Sequence, residues 1–447
     1  MSFSNKLGNT LKNILPAPFT IAVLLSLLTF ILAFFISDKN SEGSHFFEIL
    51  SYWEKGLWDN KLLVFAMQMM LMLVLGHSLA LTKPTKKLIN KATSYCNNSS
   101  RAAAIVTFST LIISFFNWGL GLIFGAIFAR KVGEYATKNK IKLNYPLIGA
   151  AGYSGLMVWH GGISGSAPIK IAEKGHFLED KIGVISQSQT IFSSMNIYIS
   201  LALLILLPIL MYLLGKRSKS ILININEEKK TTNKTIQGAE KIDHSKIIAY
   251  LFGGTILVYC FYKAFILPTE ISLNFITPNY INLSLLALCI LMHQNFFNFI
   301  ISIDQAIKGA SGILIQFPLY FGIMGMMKYS GMIEIISDLF IEISNVQTFP
   351  IFTFISAGLV NIFVPSGGGQ WAIQGPIIIE SATKLGVSIP KSIMALAYGD
   401  QITNMLQPFW ALPLLGITGL KAKEILPYTL ILMLLGGAIF IIGLLIF

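Results

Sequence analysis

Residues 102–129 read AAAIVTFSTLIISFFNWGLGLIFGAIFA and are flanked by basic loops on both sides. The preceding loop, 83–101, holds Lys83, Lys86, Lys87, Lys91 and Arg101 and no acid. The following one, 130–142, holds Arg130, Lys131, Lys138, Lys140 and Lys142 against Glu134. Lys/Arg-rich loops of membrane proteins stay on the cytoplasmic side. An apolar stretch with both ends on one side crosses an even number of times, and two full spans need about 40 residues. This stretch has 28. The cheapest solution is a re-entrant hairpin that turns back near mid-membrane at Asn117-Trp118-Gly119-Leu120-Gly121. A non-helical turn at that depth survives only if it is buried in protein or lines a polar cavity.

The rest of the chain agrees with that reading. Hydrophobic residues make up 54% of the 447 and charged residues 12%, about half the charged share of a soluble domain. Apolar blocks at 17–37, 61–82, 195–215, 247–267, 277–293, 309–327 and 425–446 are of spanning length for a hydrocarbon core of about 30 Å. This predicts an all-α polytopic membrane protein and excludes a soluble enzyme, a secreted disulfide scaffold and a nucleic-acid binder. The net charge of +12 follows the positive-inside rule instead: Lys6 and Lys12 in residues 1–16 and the basic loop 216–246 read as cytoplasmic. Asp38, Glu42, Glu48, Glu54 and Asp59 mark 38–61 as outside. Leu15 to Ser37 is too long for a cleaved signal peptide. Cys260 and Cys289 lie in apolar blocks and Cys96 in a basic loop, with no disulfide or metal spacing.

Carried forward, the topology puts Lys328 to Ser344 outside, with Glu334, Asp338 and Glu342 against one lysine. Segments 293–308 and 418–424 fall inside. Segment 347–384 becomes a second hairpin with its turn at Pro365–Gln370. Stretches 145–173 and 391–419 are long enough to span but broken by Gly, Pro and polar residues. The count is about nine crossings and two hairpins.

The two halves echo each other. Asn361 follows Asn117 by 244 residues and Tyr398 follows Tyr153 by 245; Pro168 and Pro413 each lie 15 residues beyond their tyrosine. Both halves run span, span, amphipathic stretch (83–100 or 328–345), hairpin, broken span, span. The organisation is a first repeat over 1–215 (hairpin 102–129, broken helix 145–173), a cytoplasmic linker 216–246, a linker helix 247–267 and a second repeat over 268–447 (hairpin 347–384, broken helix 391–419). One odd span between the halves inverts the second, a signature of secondary transporters.

Chemistry concentrates in the breaks. Gly161-Gly162-Ile163-Ser164-Gly165-Ser166 would unwind a helix and expose backbone groups: half-helix N-termini suit an anion, carbonyls a cation. Candidate substrate ligands are Asn117, Trp118, Gly119, His160, Gly162, Ser164 and Ser166 in the first half. In the second they are Ser366, Gly367, Gly368, Gly369 and Gln370, whose N–H groups form an anion-binding turn, with Thr403, Asn404 and Gln407. Asp400, an acid at membrane depth, is functional by default and the leading proton carrier; Asn117 and Asn361 are candidates for Na⁺. His160 reads equally well as a proton site or an ordinary packed histidine. Trp118, Trp371, Phe409 and Trp410 are candidate aromatic contacts.

The runs Asn117-Trp-Gly-Leu-Gly-Leu, Gly161-Gly-Ile-Ser-Gly-Ser-Ala-Pro168, Pro365-Ser-Gly-Gly-Gly-Gln-Trp371, Ala397-Tyr-Gly-Asp-Gln401 and Gln407-Pro-Phe-Trp-Ala-Leu-Pro413 resemble the short-chain fatty acid transporter family, nearly end to end from Leu15-Pro-Ala-Pro-Phe19. The resemblance implies uptake of short-chain monocarboxylates across a bacterial inner membrane. It also implies kinship with carriers built from inverted repeats with paired hairpins, often homodimers working by an elevator movement, in which Asn117 and Ser366–Gln370 match the hairpin tips. The family often has Glu at Asp400 and a small residue at His160.

The sequence therefore predicts a secondary active carrier for a small monocarboxylate, coupled to H⁺ or Na⁺, with no cofactor, no nucleotide-binding motif and no nucleic-acid partner. A cation/proton antiporter and a dicarboxylate carrier of the same architecture are the alternatives. A membrane-bound sensor is a third. An intramembrane enzyme would need a convergent catalytic cluster near one interface, and the sequence offers none.

Overall fold

Helix starts in this chain are written in Asn, Asp, Ser and Thr, whose side chains accept the orphan N–H groups of a first turn. The computed structural model describes residues 18–37, 44–225, 238–268 and 273–447, without the side chains of Pro18, Pro408 and Phe409. Lys6, Lys12, Leu15–Ala17, Asp38, Glu42, residues 226–237 of the linker and the Phe409 ring lie outside the described residues.

The first half comprises α1 (Pro18–Ile36), α2 (His45–Leu57), α3 (Asn60–Ala80), α4 (Lys83–Thr93), α5 (Ser99–Phe116), α6 (Trp118–Lys138), α7 (Tyr145–Tyr153), α8 (Ser166–Lys170) and α9 (Ser194–Arg217). Asp59 Oδ1 caps α3 through the Leu62 N–H at 3.0 Å. Asn98 caps α5 and Asn144 caps α7 in the same way. After α10 (Lys246–Phe261), the second half comprises α11 (Pro278–His293), α12 (Phe296–Tyr329), α13 (Met332–Glu342), α14 (Phe349–Phe363), α15 (Gly367–Leu385), α16 (Ile389–Thr403), α17 (Pro408–Thr418) and α18 (Ala422–Ile446). The described residues are helical apart from their connections and one isolated bridge between Leu143 and Ile221.

Among the described residues, seven helices are long and apolar enough to cross a membrane: Phe19–Ile36, Asn60–Ala80, Ser99–Phe116, Ser194–Arg217, Lys246–Ile266, Phe296–Tyr329 and Ala422–Ile446. Six coincide with predicted full spans. Ser99–Phe116 is the first arm of the predicted hairpin at 102–129, and the predicted span 277–293 appears as the shorter apolar α11. The amphipathic stretches form α4 and α13.

Three details correct the sequence reading. The span at 309–327 is the C-terminal part of one 34-residue helix, α12, so 293–308 is largely helical rather than loop. At 1.5 Å per residue that helix runs about 51 Å, beyond the hydrocarbon thickness, and its first turns can therefore carry Asp304 and Lys308. The break after α5 is one residue, Asn117, because its side chain caps α6 directly; Trp118–Gly121 are already helical. The break after α14 is Val364–Ser366, and Gly367–Gln370 form the first turn of α15 rather than a loop.

The helices sort into two packed groups. In one, α12 packs on α1, α2 and α3, and α11 packs on α3 and α10. This group is termed the frame. In the other, α5 packs on α6, α7 and α9, α14 on α16, α15 on α13 and α16, and α18 on α7, α9 and α16. This is the body, and it contains both broken helices. The body meets the frame chiefly where α6 lies on α3 and α15 on α12.

Close approach inside the body needs glycine at Gly125 and Gly152, where a Cβ on either would collide with the other's carbonyl. Gly152→Val should force α6 and α7 apart and destabilise the protein by about 1–3 kcal/mol, the usual range for overpacking. Gly437→Ala, at a position with nothing within 4 Å, should leave stability unchanged; thermal unfolding of the two purified variants in detergent checks this.

Candidate functional site

The two breaks and the two unwound segments are stitched to one another. Asn117 is fully buried; its Oδ1 accepts the Leu120 N–H at 2.7 Å and its Nδ2 reaches Met72 O at 3.4 Å. Beside it runs the broken segment 154–165, two 3₁₀ turns (Ser154–Met157 and Trp159–Gly161) followed by non-helical residues 162–165: the Ile163 N–H donates to Phe115 O at 2.8 Å, and the Trp118 N–H donates to Ser164 Oγ at 3.0 Å. Chain that leaves the helix is thus satisfied by chain that has also left it.

Each half's tyrosine secures the other half's unwound segment. Tyr153 donates to Asn404 O at 2.9 Å. Tyr398 donates to Asn196 Oδ1 at 2.8 Å, and Asn196 Nδ2 donates onward to Gly161 O at 2.8 Å. Asn361 Nδ2 sits among Asp400 O at 2.7 Å, Thr403 Oγ1 at 2.9 Å and Asn404 Oδ1 at 3.0 Å. Gln407 Nε2 donates to Asn361 O. The amide oxygens Asn361 Oδ1 and Gln407 Oε1 are buried with no protein donor.

Asp400 and His160 meet at the centre. Both side chains are 0% exposed, with Asp400 Oδ2 2.6 Å from His160 Nδ1. His160 Nε2 accepts the Ala167 N–H at 3.2 Å, so that nitrogen carries a lone pair and the proton of the neutral ring lies on Nδ1, facing Asp400. The backbone N–H of His160 donates to Gln401 Oε1 at 2.9 Å, tying the first unwound segment to α16. The Trp159 ring stacks on the imidazole at 4.4 Å and 12°. The first residue of α15, Gly367, closes over the pair: a Cβ there would lie 2.8 Å from Asp400 Oδ2 and 2.6 Å from the Trp159 ring.

Next to this pair is a cavity of about 10 Å³, room for one water. Its aromatic wall is Trp118, Trp159 and Trp410, with ring centroids 5.6 Å apart for Trp118–Trp159 and 5.3 Å for Trp118–Trp410. Its polar wall is Ser166, Ser366, Gly367, Gly368 and Asn404. The N–H groups of Gly367 and Gly368 open α15 and have no partner within it.

Of the predicted site residues, Trp118, Ser166, Ser366, Gly367, Gly368 and Asn404 line the cavity. His160 and Asp400 lie just behind it, under Gly367. The others hold the scaffold. Gly119 packs on Leu73 of α3, Gly162 on Phe115 O, and Gly369 on the Tyr320 ring. Ser164 accepts from Trp118. Gln370 Nε2 donates to Ala357 O at 2.8 Å, joining α15 to α14, and Thr403 Oγ1 donates to Gly358 O at 3.0 Å. Trp371 is buried against Phe177, away from the cavity. Sequence reasoning missed Trp159, Asn196, Met69 and Phe317. Trp159 carried a signal, its place in the broken run; Met69 and Phe317 sit in ordinary apolar helices and carried none. Among the described residues, no three His, Cys, Asp or Glu side chains converge on a metal site.

Tyr153→Phe should remove the hydroxyl's bond to the Asn404 carbonyl, which keeps the Gln407 N–H at 3.1 Å, and cost about 0.5–1.5 kcal/mol. Tyr212→Phe, on α9 outside this network, should be silent in the same thermal-unfolding measurement.

Comparison with known proteins agrees with the architecture. The family described as short chain fatty acid transporter matches residues 2–447. Two relatives, from Escherichia coli K12 and Haemophilus influenzae, are both provisionally named short-chain fatty acid transporters. The first is 37% identical over 440 residues, covering 97% of this chain and 96% of its own. The second is 37% identical over 445 residues, covering 96% of each. Among solved structures, the YdaH transporter of Alcanivorax borkumensis superposes with a TM-score of 0.58 at 14% identity, covering 96% of this chain and 98% of its own. MtrF of Neisseria gonorrhoeae, from a study of antimetabolite efflux pumps, gives 0.55 at 13%, covering 99% and 97%. The identity to these two is low enough that they speak for the fold alone. With a family match over almost every residue and two near-full-length relatives, the chain belongs to the short-chain fatty acid transporter family.

Proposed function

We propose that the protein is a secondary active carrier that takes up short-chain monocarboxylates by alternating access, with H⁺ as the coupling ion. The observation that carries this reading is the meeting of a buried His–Asp pair, two free N–H groups at the start of α15 and a three-indole wall around one closed cavity. The N–H groups of Gly367 and Gly368, with the Ser166 and Ser366 hydroxyls, suit a carboxylate; Trp118, Trp159 and Trp410 suit a short acyl chain. The cavity as it stands holds a water-sized body, so the cargo needs it to widen.

The coupling follows from charge. An ionised Asp400 and an anionic cargo a few ångströms apart in a low-dielectric interior repel each other strongly. A proton on Asp400 removes the repulsion, so proton and carboxylate bind together and leave together. His160 cannot take that proton at Nε2 without losing the Ala167 N–H, which leaves Asp400 as its seat. Na⁺ coupling is the second reading; it is favoured by the donorless amide oxygens of Asn361 and Gln407.

In this reading the two halves are inverted repeats, with α5–α6 and α14–α15 as re-entrant hairpins. The body slides as an elevator against the frame, and the frame is the natural seat of a homodimer contact. In the same reading the N-terminus lies in the cytoplasm, which the basic loops favour, and the membrane is a bacterial inner membrane.

Uptake of radiolabelled butyrate and acetoacetate into proteoliposomes, with H⁺ and Na⁺ gradients imposed separately, tests the reading. Wild type should accumulate cargo under an inward proton gradient. Asp400→Asn should lower proton-driven uptake by at least tenfold while keeping exchange of internal for external cargo. No uptake of either acid under either gradient by monodisperse protein would sink the assignment.

A further inference from the structure

Four polar side chains outside that site meet across the seam between body and frame. Lys170, the last residue of α8, is 3% exposed. Its Nζ lies 2.6 Å from Glu173 Oε2 and 3.1 Å from Gln68 Oε1 of α3, and 5.4 Å over the Phe65 ring. Gln68 Nε2 donates to Glu173 Oε1 at 2.8 Å and to Asn279 Oδ1 at 3.0 Å, and Asn279 Nδ2 reaches Glu173 Oε1 at 3.1 Å. Lys170 and Glu173 belong to the body, Gln68 and Asn279 to the frame. A buried ion pair seldom stabilises a protein more than apolar packing would, and its best-attested use is in register and switching.

The cluster points at the cavity. Asn279 is exposed, Glu173 is 13% exposed and Lys170 and Gln68 are each 3% exposed. One step further in, Met69 follows Gln68 and Ser166 lies one helical turn before Lys170; both line the cavity. Phe65, under the ammonium, would sit 3.3 Å from a Cβ on Gly368. Exposure thus falls from Asn279 through Glu173 to Lys170 and Gln68, and the cation lies one helical turn along α8 from the cavity-lining Ser166.

We propose that Lys170 and Glu173 form a gate on one side of the cavity, and that the cargo's carboxylate opens it by taking the place of Glu173 on the Lys170 ammonium. Gln68 and Asn279 hold the gate to the frame while it is shut. The carboxylate's part rests on the transport reading; the gate itself does not.

Two measurements separate them. In protein with Cys96, Cys260 and Cys289 replaced by serine, Ser166→Cys is labelled with a membrane-impermeant methanethiosulfonate in the absence of cargo. Glu173→Gln should raise the labelling rate about tenfold, and an unchanged rate in a monodisperse variant overturns the gate. In butyrate uptake, Lys170→Met should raise KM about tenfold more than it lowers the maximal rate, and Lys170→Arg should recover most of that KM. A KM unmoved in Lys170→Met overturns the carboxylate's part. Absence of uptake by the wild type would fall on the transport reading and take the carboxylate's part with it, while the labelling still judged the gate.

Discussion

Every backbone polar group at membrane depth must find a partner inside the protein, because hydrocarbon offers none. This chain leaves the helical path at four places, and the rest of its architecture follows from satisfying them. Asn117 and Ser366 cap the helices that restart after the two short breaks. The unwound segment 154–165 bonds to the first break through Ile163–Phe115 and Trp118–Ser164. Tyr153 and, through Asn196, Tyr398 bind each half's unwound carbonyls to the other half. Among the buried polar atoms without protein partners, the indole N–H groups of Trp118 and Trp159 belong to cavity-lining residues.

The same constraint explains why the charged groups sit where they do. Asp400 is buried completely and has one close polar side-chain neighbour, His160, whose tautomer is dictated by the Ala167 N–H behind it. Gly367 is glycine because the pair, the Trp159 ring and the start of α15 share a space with no room for a methyl group. The buried Lys170 and half-buried Glu173 form a charge pair one helical turn from the cavity and on the seam between the packed groups. A carrier needs its binding groups to be satisfied in its closed form and available in its open one. Hydrogen bonds across a seam between two bodies allow that, where bonds within one helix would not.

Much of this was legible in the sequence. The basic loops around 102–129 pointed to a re-entrant hairpin turning at Asn117–Gly121; the structure has helices of 18 and 21 residues there with a one-residue break at Asn117. Gly161–Ser166 marked the unwound segment, and an isolated acid in an apolar run marked Asp400. These signals are local: length, charge and glycine content act on the chain where they occur. The spacings of Asn117 and Asn361, and of Tyr153 and Tyr398, singled out residues that turned out to hold the breaks together, although spacing could not say how.

What the sequence by itself determined is the helical membrane class, the positions of the breaks and the family. What only the tertiary structure decided is which side chains share a space. His160 had no reason in its own neighbourhood to face Asp400, 240 residues away; folding brought the two unwound segments together. Gly369 and Gln370 read as part of a binding turn and Trp371 as an aromatic contact; in the structure all three lie in α15 and pack on neighbouring groups, because Ser366 caps a helix that already begins at Gly367. Lys170 ends the short helix α8 and is a buried cation because α3 closes over it with Gln68 and Phe65. Local composition specifies where a helix must stop; burial and pairing depend on what arrives from elsewhere in the chain.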